Sequence, residues 1–183
     1  NVLLVVVDAL RQDTLNMLDH GAHSAFTFAD AGLPSTCAGD VVAAARGCIN
    51  AAGVGTDLVV IELGDGLLGA YGVMDVLRDA SIRSATVAVV LAAPDPVAAW
   101  GGAQLLKEVG YPLTAVVGPA TDNDAGRRVL VDRMGVLACR GVRGRVCEPL
   151  PRGASSRHLQ QVYCGLLPGP VEQAVHSEVL HKL

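Results

Sequence analysis

The chain has 183 residues, enough for one domain with a sizeable core, and is half apolar (51%) with only 17% charged residues. A charged fraction below the ~25% of typical domains puts much of the chain in a core or an interface. The net charge of −4 argues against a nucleic-acid backbone as main partner, and no uncharged apolar run approaches the ~18–20 residues that span a bilayer.

Small aliphatic residues dominate the apolar set, which suits a parallel sheet covered by helices. In chain order, VLLVVVD (Val2–Asp8) reads as a strand and RQDTLNMLDHG (Arg11–Gly21) as a short helix stopped by Gly21. AHSAFTFAD (Ala22–Asp30) alternates like a strand and ends in an acid. AGDVVAAARGCINAAG (Ala38–Gly53) has helical composition and stops at Gly53. TDLVVIEL (Thr56–Leu63) is a strand, YGVMDVLRDA (Tyr71–Ala80) a helix and SATVAVVLAAPD (Ser84–Asp95) a buried strand. PVAAWGGAQLLKEVG (Pro96–Gly110) is a helix with Pro96 in its first turn. LTAVVGPATDND (Leu113–Asp124) is a strand and loop, AGRRVLVDRMG (Ala125–Gly135) a helix and VLACRG (Val136–Gly141) a short last strand. Strands of ~5–7 residues between helices of ~10–15 predict parallel βαβ units with right-handed crossovers.

The alternation predicts an α/β fold, a three-layer sandwich with a mostly parallel sheet. Its α/β domain covers 1–150 and a helical tail covers 151–183. The proline-bearing stretch RGRVCEPLPRGASS (Arg143–Ser156) breaks the pattern, and two closing helices come after it, one capped by Ser155 or Ser156 and one opened by Pro170. The basic stretch CRGVRGR (Cys139–Arg145) reads as a solvated loop. The first apolar run has no basic segment before it and the chain begins at Asn1, which suggests that an upstream part is missing. The five cysteines (Cys37, Cys48, Cys139, Cys147, Cys164) form no CxxC pair, as expected of reduced thiols in a cytoplasmic protein. The histidines form no recognised ligand motif, and the only tryptophan, Trp100, reads as a packing residue.

Carboxylates carry the functional signal. Four expected strands end in an acid (Asp8, Asp30, Glu62, Asp95), and a fifth ends near Asp122, Asn123 and Asp124. In open parallel sheets ligands bind outside the carboxyl ends of the strands. If the strands are parallel, these acids share one edge, among loops rich in Gly and Pro (DAGLPST, ELGDGLLG, APDP, GPATDN). A row of acids repels itself unless a cation sits there, and a hydrated Mg²⁺ carrying a phosphate is its natural partner. Each acid alone also reads as a polar loop residue; Asp30 fits a cap on the segment after it, and Asp95, before Pro96, a helix cap. Ser35 or Thr36 could cap the helix that starts after Gly39, or offer hydroxyls to an anion, while Asp40 would compete with a bound phosphate there.

VVIELGDGLLG (Val59–Gly69) resembles the second signature strand of the dethiobiotin synthetase-like and cobyrinic-acid synthetase-like P-loop NTPases, a class that includes chromosome-partitioning ATPases. Ala85–Asn123 looks like that class's strand, helix, strand and base loop, and Arg11–Thr36 like its switch-type region. The resemblance covers Arg11–Val142 and implies a Rossmann-like fold, ATP and Mg²⁺ as cofactors, and a small-molecule substrate. It implies metal contacts for Glu62 and Asp30, with Glu62 and Asp65 catalytic; Asp8 joins the metal set as another strand-end acid. Ser35, Thr36 and Gly64 would then bind the cofactor or substrate and Asn123 the base. No G-x-x-x-x-G-K-[ST] is present, and DALRQDT after the first strand offers no glycine or lysine to cradle phosphates. Either the phosphate loop lies upstream or the domain does not hydrolyse nucleotide.

Two other readings stand beside it. NVLLVVVDALRQDTL resembles the opening of sulfatases and alkaline-phosphatase-like hydrolases, which implies metal binding by Asp8 and a nucleophile at Thr36 or Cys37 in LPSTCAG. The Pro-x-Arg that comes after that nucleophile in the family is missing. The low charge equally suits a non-catalytic module that joins a homo-oligomer or a partner subunit.

Overall fold

The computed structural model describes residues 2–6, 11–19, 21–37, 39–64 and 66–138. Asp8, Asp65, the basic stretch from Cys139 and the expected tail over 151–183 lie outside them. The chain divides into two compact units, one ending at Ala85 and one beginning at Thr86. Each is a small α/β assembly around three parallel strands.

The first unit holds β1 (Val2–Val6), α1 (Arg11–Asp19), β2 (Ala25–Phe26), α2 (Val41–Gly53), β3 (Leu58–Glu62), α3 (Val73–Arg78) and α4 (Ala80–Ala85). Its strand order is β2-β1-β3, with both pairings parallel. Gly21 ends α1 as the sequence suggests: at φ +93° its N–H bonds Leu18 O at 3.0 Å and Ala22 N–H bonds Met17 O at 3.1 Å, a Schellman close. Helix α2 places Val41, Ala45, Cys48 and Ala52 on one buried stripe, spaced three or four residues apart, against Val76 and Ile82. Phe26, Val59 and Ile61 from the strands pack on that cluster. The side chains of Leu58–Ile61 are only half-buried, because β3 flanks its sheet instead of filling the centre.

The second unit holds β4 (Val90–Ala92), α5 (Pro96–Glu108), β5 (Ala115–Val117), a 3-10 turn (Pro119–Thr121), α6 (Asp124–Met134) and β6 (Leu137–Ala138), with strand order β4-β5-β6, again parallel. Asp95 caps α5, its Oδ1 accepting the N–H groups of Val97 at 2.7 Å and Ala98 at 2.9 Å, with Pro96 next in line. Gly110 (φ +87°) closes the other end, where Gly110 N–H reaches Lys107 O and Tyr111 N–H reaches Leu106 O. The core joins Ala93, Ala99, Val116, Ala120, Leu130 and Ala138, and Leu130 is 0% exposed.

Three expectations needed correction. The strand over Ala22–Asp30 shrinks to Ala25–Phe26, because Thr27–Leu33 folds into successive tight turns. The helix over Tyr71–Ala80 splits into α3 and α4, and α4 takes Ser84 and Ala85 from the expected strand, so β4 begins at Val90. The break is Asp79. It sits at ψ 123° after α3, and its Oδ1 accepts the N–H groups of Ser81 and Ile82 at the start of α4. Trp100 is 56% exposed, so it is not a core residue of its unit.

Asp79 also receives a hydrogen bond from the Arg46 guanidinium of α2, and its side chain is almost covered. That contact first, then the Ile82 N–H, hold the Asp79 carboxyl below the usual carboxylate range. A lowered folded-state pKa stabilises above the unfolded value of ~3.9, and the contribution fades as pH falls through the folded value. Asp79→Asn should therefore lower the melting temperature at pH 7, and the gap to the parent should close as unfolding is measured down toward pH 2. A gap unchanged between pH 7 and pH 2 would show that the ion pair contributes nothing.

Candidate functional site

The parallel register sets the carboxyl ends of the first unit's strands on one edge. Val5 pairs with Phe26 and Val6 with Glu62, so β2 and β3 end on either side of β1. Two strand spacings separate their backbones, about 10 Å. Glu62 is the last residue of β3 and is exposed; Asp30 lies four residues past β2 and is also exposed. Both of these acids belong to the first unit. Asp8, which the sequence assigns to the same edge, and Asp65, which it makes catalytic, fall outside the described residues. Asp95 and Asn123 belong to the second unit.

Asp30 is held by a local lock. Its Oδ2 accepts the Thr27 backbone N–H at 2.7 Å and the Thr27 hydroxyl at 3.1 Å, while Asp30 N–H donates back to Thr27 O at 3.1 Å. Thr27 is itself buried, and its carbonyl also accepts the Cys48 thiol of α2 at 3.3 Å. Burial pushes the Cys48 thiol up, and the Asp30 charge adds to the effect. The lock resembles a capping box placed on a turn. The spacing Thr27-x-x-Asp30 carried that signal, which a reading of Asp30 as a strand end passed over.

The hydroxyl pair behaves differently from expectation. Ser35 Oγ accepts Cys37 N–H at 3.1 Å in a local turn, and Thr36 is buried, so of the two only Ser35 keeps solvent access. Neither caps α2. Asp40 does, its Oδ1 accepting Ala43 N–H at 2.9 Å. A carboxylate there fills the position an anion would take, as the sequence reading of Asp40 foresaw.

Gly64 is exposed in the loop after β3, where Gly66 turns at φ +76° and Leu68 stands 83% exposed. That loop reaches α3 through Gly72, which the sequence reading did not single out. Gly72 has φ +74°, and a Cβ on it would meet Val41 Cγ1 at 2.5 Å. Val41 opens α2, directly after the Ser35–Asp40 stretch. The close approach therefore joins the two loops that leave β2 and β3.

In the second unit the carboxyl ends of β4 and β5 are also tied. Ala93 N–H bonds Val117 O at 3.0 Å, and Ala120 N–H bonds Ala93 O at 3.1 Å. Asn123 caps α6, its Oδ1 accepting Gly126 N–H at 2.8 Å.

Among the described residues no three His, Cys, Asp or Glu side chains are grouped to hold a metal ion. Asp30 and Glu62 each offer carboxylate oxygens, the donor type Mg²⁺ takes from one or two side chains while it keeps waters and substrate phosphates as its other ligands. Among the described residues no helix is long and apolar enough to cross a membrane. Comparison of the chain with protein-family models, curated proteins and solved structures returns no match.

Proposed function

We propose that the chain is a nucleotide- and Mg²⁺-linked domain of the dethiobiotin-synthetase-like class of P-loop NTPases, acting on a small molecule. Its architecture on this reading is three-layered and Rossmann-like. The observation that supports it is the parallel order β2-β1-β3, in which Glu62 ends β3 and Asp30 comes four residues after β2, the two strands flanking β1. Mg²⁺ would supply charge neutralisation for a phosphate. Glu62 and Asp30 would hold the ion or its waters, with Asp8 as a further metal ligand and Asp65 in a catalytic role. Ser35 would donate its hydroxyl to a phosphate or small acid, and Gly64 would let that ligand approach the backbone.

Calorimetry with Mg·ATP tests this reading. The parent chain is expected to release heat only when Mg²⁺ is present, and Glu62→Gln to bind about tenfold more weakly or worse. No heat from the parent chain, with or without Mg²⁺, removes the reading. Turnover of an aryl sulfate or phosphate, lost in Thr36→Ala or Cys37→Ala, would instead favour the metal-dependent hydrolase.

A further inference from the structure

We propose that the segment 157–167 of this chain docks on the face of the second unit's sheet that α5 and α6 leave bare. A single core cluster joins Ala99 of α5 and Leu130 of α6 to Val116 and Ala138 of the strands. Both helices, and the 3-10 turn that carries Ala120, therefore lie on the Val116 face. Topology requires this: the crossovers from β4 to β5 and from β5 to β6 step the same way, and right-handed connections then share one side. Side chains alternate along a strand, so the neighbours of Val116 and Ala138 point to the other side. Val90, Ala115 and Leu137 stand there in register across the three strands, with Ala92 and Val117 in the next row. All five are apolar. Ala92 is exposed, and Val90, Val117 and Leu137 are only half-buried. Among the described residues of the second unit no helix packs on that side, whereas parallel sheets are ordinarily covered on both faces.

The chain carries a fitting occupant. It continues from residue 139 to Leu183. Within that stretch Leu159, Val162, Tyr163, Leu166 and Leu167 recur at i, i+3, i+4, i+7 and i+8, the apolar stripe of a helix with one side to bury. Arg157, His158, Gln160 and Gln161 fall off that stripe. A helix over 157–167 would be about 16 Å long, enough to cross three strands that span about 10 Å. The residues between Ala138 and that segment reach much farther than this span. The competing apolar surface of the unit is smaller. On α5, Val97 and Trp100 are exposed, but the same stripe continues with Gln104 and Glu108. Two apolar residues followed by polar ones cannot bury five.

Full-length chains are unfolded thermally and followed by the fluorescence of Trp100, the only tryptophan, which reports on the second unit. Leu166→Ala is expected to lower the midpoint by about 8 °C or more, the effect of truncating a buried Leu. Gln161→Ala, on the opposite side of the stripe, should stay within about 2 °C of the parent. A double-mutant cycle locates the docking face. When Val90→Ala and Val117→Ala are combined, Leu166→Ala should shift the midpoint by about half as much as in the parent or less, whereas in the Val97→Ala background its shift should be undiminished. Parent-like melting of Leu166→Ala overturns the proposal, and so does coupling to Val97 in place of the sheet face. Sedimentation checks the other occupant: a parent dimer that Val117→Lys dissociates, with Leu166→Ala melting like the parent, would give the face to a second copy of the chain. If Leu166→Ala does not fold, hydrogen exchange of the parent chain decides. The amides of 159–167 are expected to exchange roughly a hundredfold slower than in a free peptide, and exchange at free-peptide rates overturns the proposal.

Discussion

Replacing Gly126 with Ala is expected to destabilise the second unit by about 2–4 kcal/mol, lowering its unfolding midpoint by roughly 10 °C or more. Helix propensity alone predicts the opposite sign, since Ala is favoured over Gly by about 1 kcal/mol in a helix. The obstacle is backbone. A Cβ on Gly126 would lie 2.3 Å from Ala120 O, far inside any tolerated contact, and 3.5 Å from Asn123 Oδ1. Ala120 cannot retreat cheaply. Its own N–H bonds Ala93 O, it belongs to the buried cluster with Leu130 and Val116, and the adjoining Thr121 carbonyl accepts from Arg127 at 3.0 Å. Relief therefore moves the first turn of α6 outward and breaks the Asn123 cap, whose donor is the Gly126 N–H. Gly47 is the internal control. It lies mid-helix in α2, exposed, and a methyl added to it would meet nothing within 4 Å, so Gly47→Ala should stabilise by about 0.5–1 kcal/mol. Thermal melts of both variants decide the matter: equal shifts of the same sign would show that the close approach at Ala120 is not present in solution.

The contrast between those two glycines marks how far the fold was legible in the sequence. Local signals carried well. Gly21 and Gly135 end their helices at positive φ, and Asp95 before Pro96 caps α5, because a cap needs only the residues beside it. The alternation of apolar runs and helical segments pointed to parallel strands, found in both units. Lengths carried poorly. Thr27 looked like one more residue of an alternating strand, yet its side chain and both backbone groups serve the turn and α2, so β2 stops at Phe26. Asp79 looked like an ordinary helical residue, but its carboxylate serves Arg46 and two N–H groups at once, and that competition splits the helix. In each case a polar side chain reached a partner that no spacing rule identifies. Asp95 and Asn123 entered the sequence reading as members of a common acidic rim, whereas their carboxylate and amide oxygens each hold a helix N-terminus in the second unit.

Gly72→Ala should cost the first unit about 2–3 kcal/mol, from two sources that can be told apart. Gly72 sits at φ +74°, where an L side chain costs about 1–2 kcal/mol. The rest is collision: the new Cβ would stand 2.5 Å from Val41 Cγ1 and 3.3 Å from Val41 Cβ. Val41 has little freedom to turn away, being β-branched, helical and buried in the cluster with Ala45 and Val76. A double-mutant cycle with Val41→Ala separates strain from collision. Val41→Ala alone loses buried methyls and is destabilising. In the Gly72→Ala background it also removes the atoms struck, so the double variant should be more stable than the sum of the singles by about 1 kcal/mol or more. Additivity within ~0.3 kcal/mol would assign the whole cost to backbone strain and dissolve the proposed joint between the loops. Binding provides the second readout. Val41 comes directly after the Ser35–Asp40 stretch and Gly72 closes the loop after Glu62, so prying them apart should displace both sides of the carboxyl edge. Gly72→Ala is then expected to weaken Mg·ATP binding at temperatures where it remains folded, and Val41→Ala to restore part of that loss in the double variant. Binding unchanged in a folded Gly72→Ala chain would mean that this contact stabilises the unit without shaping its edge.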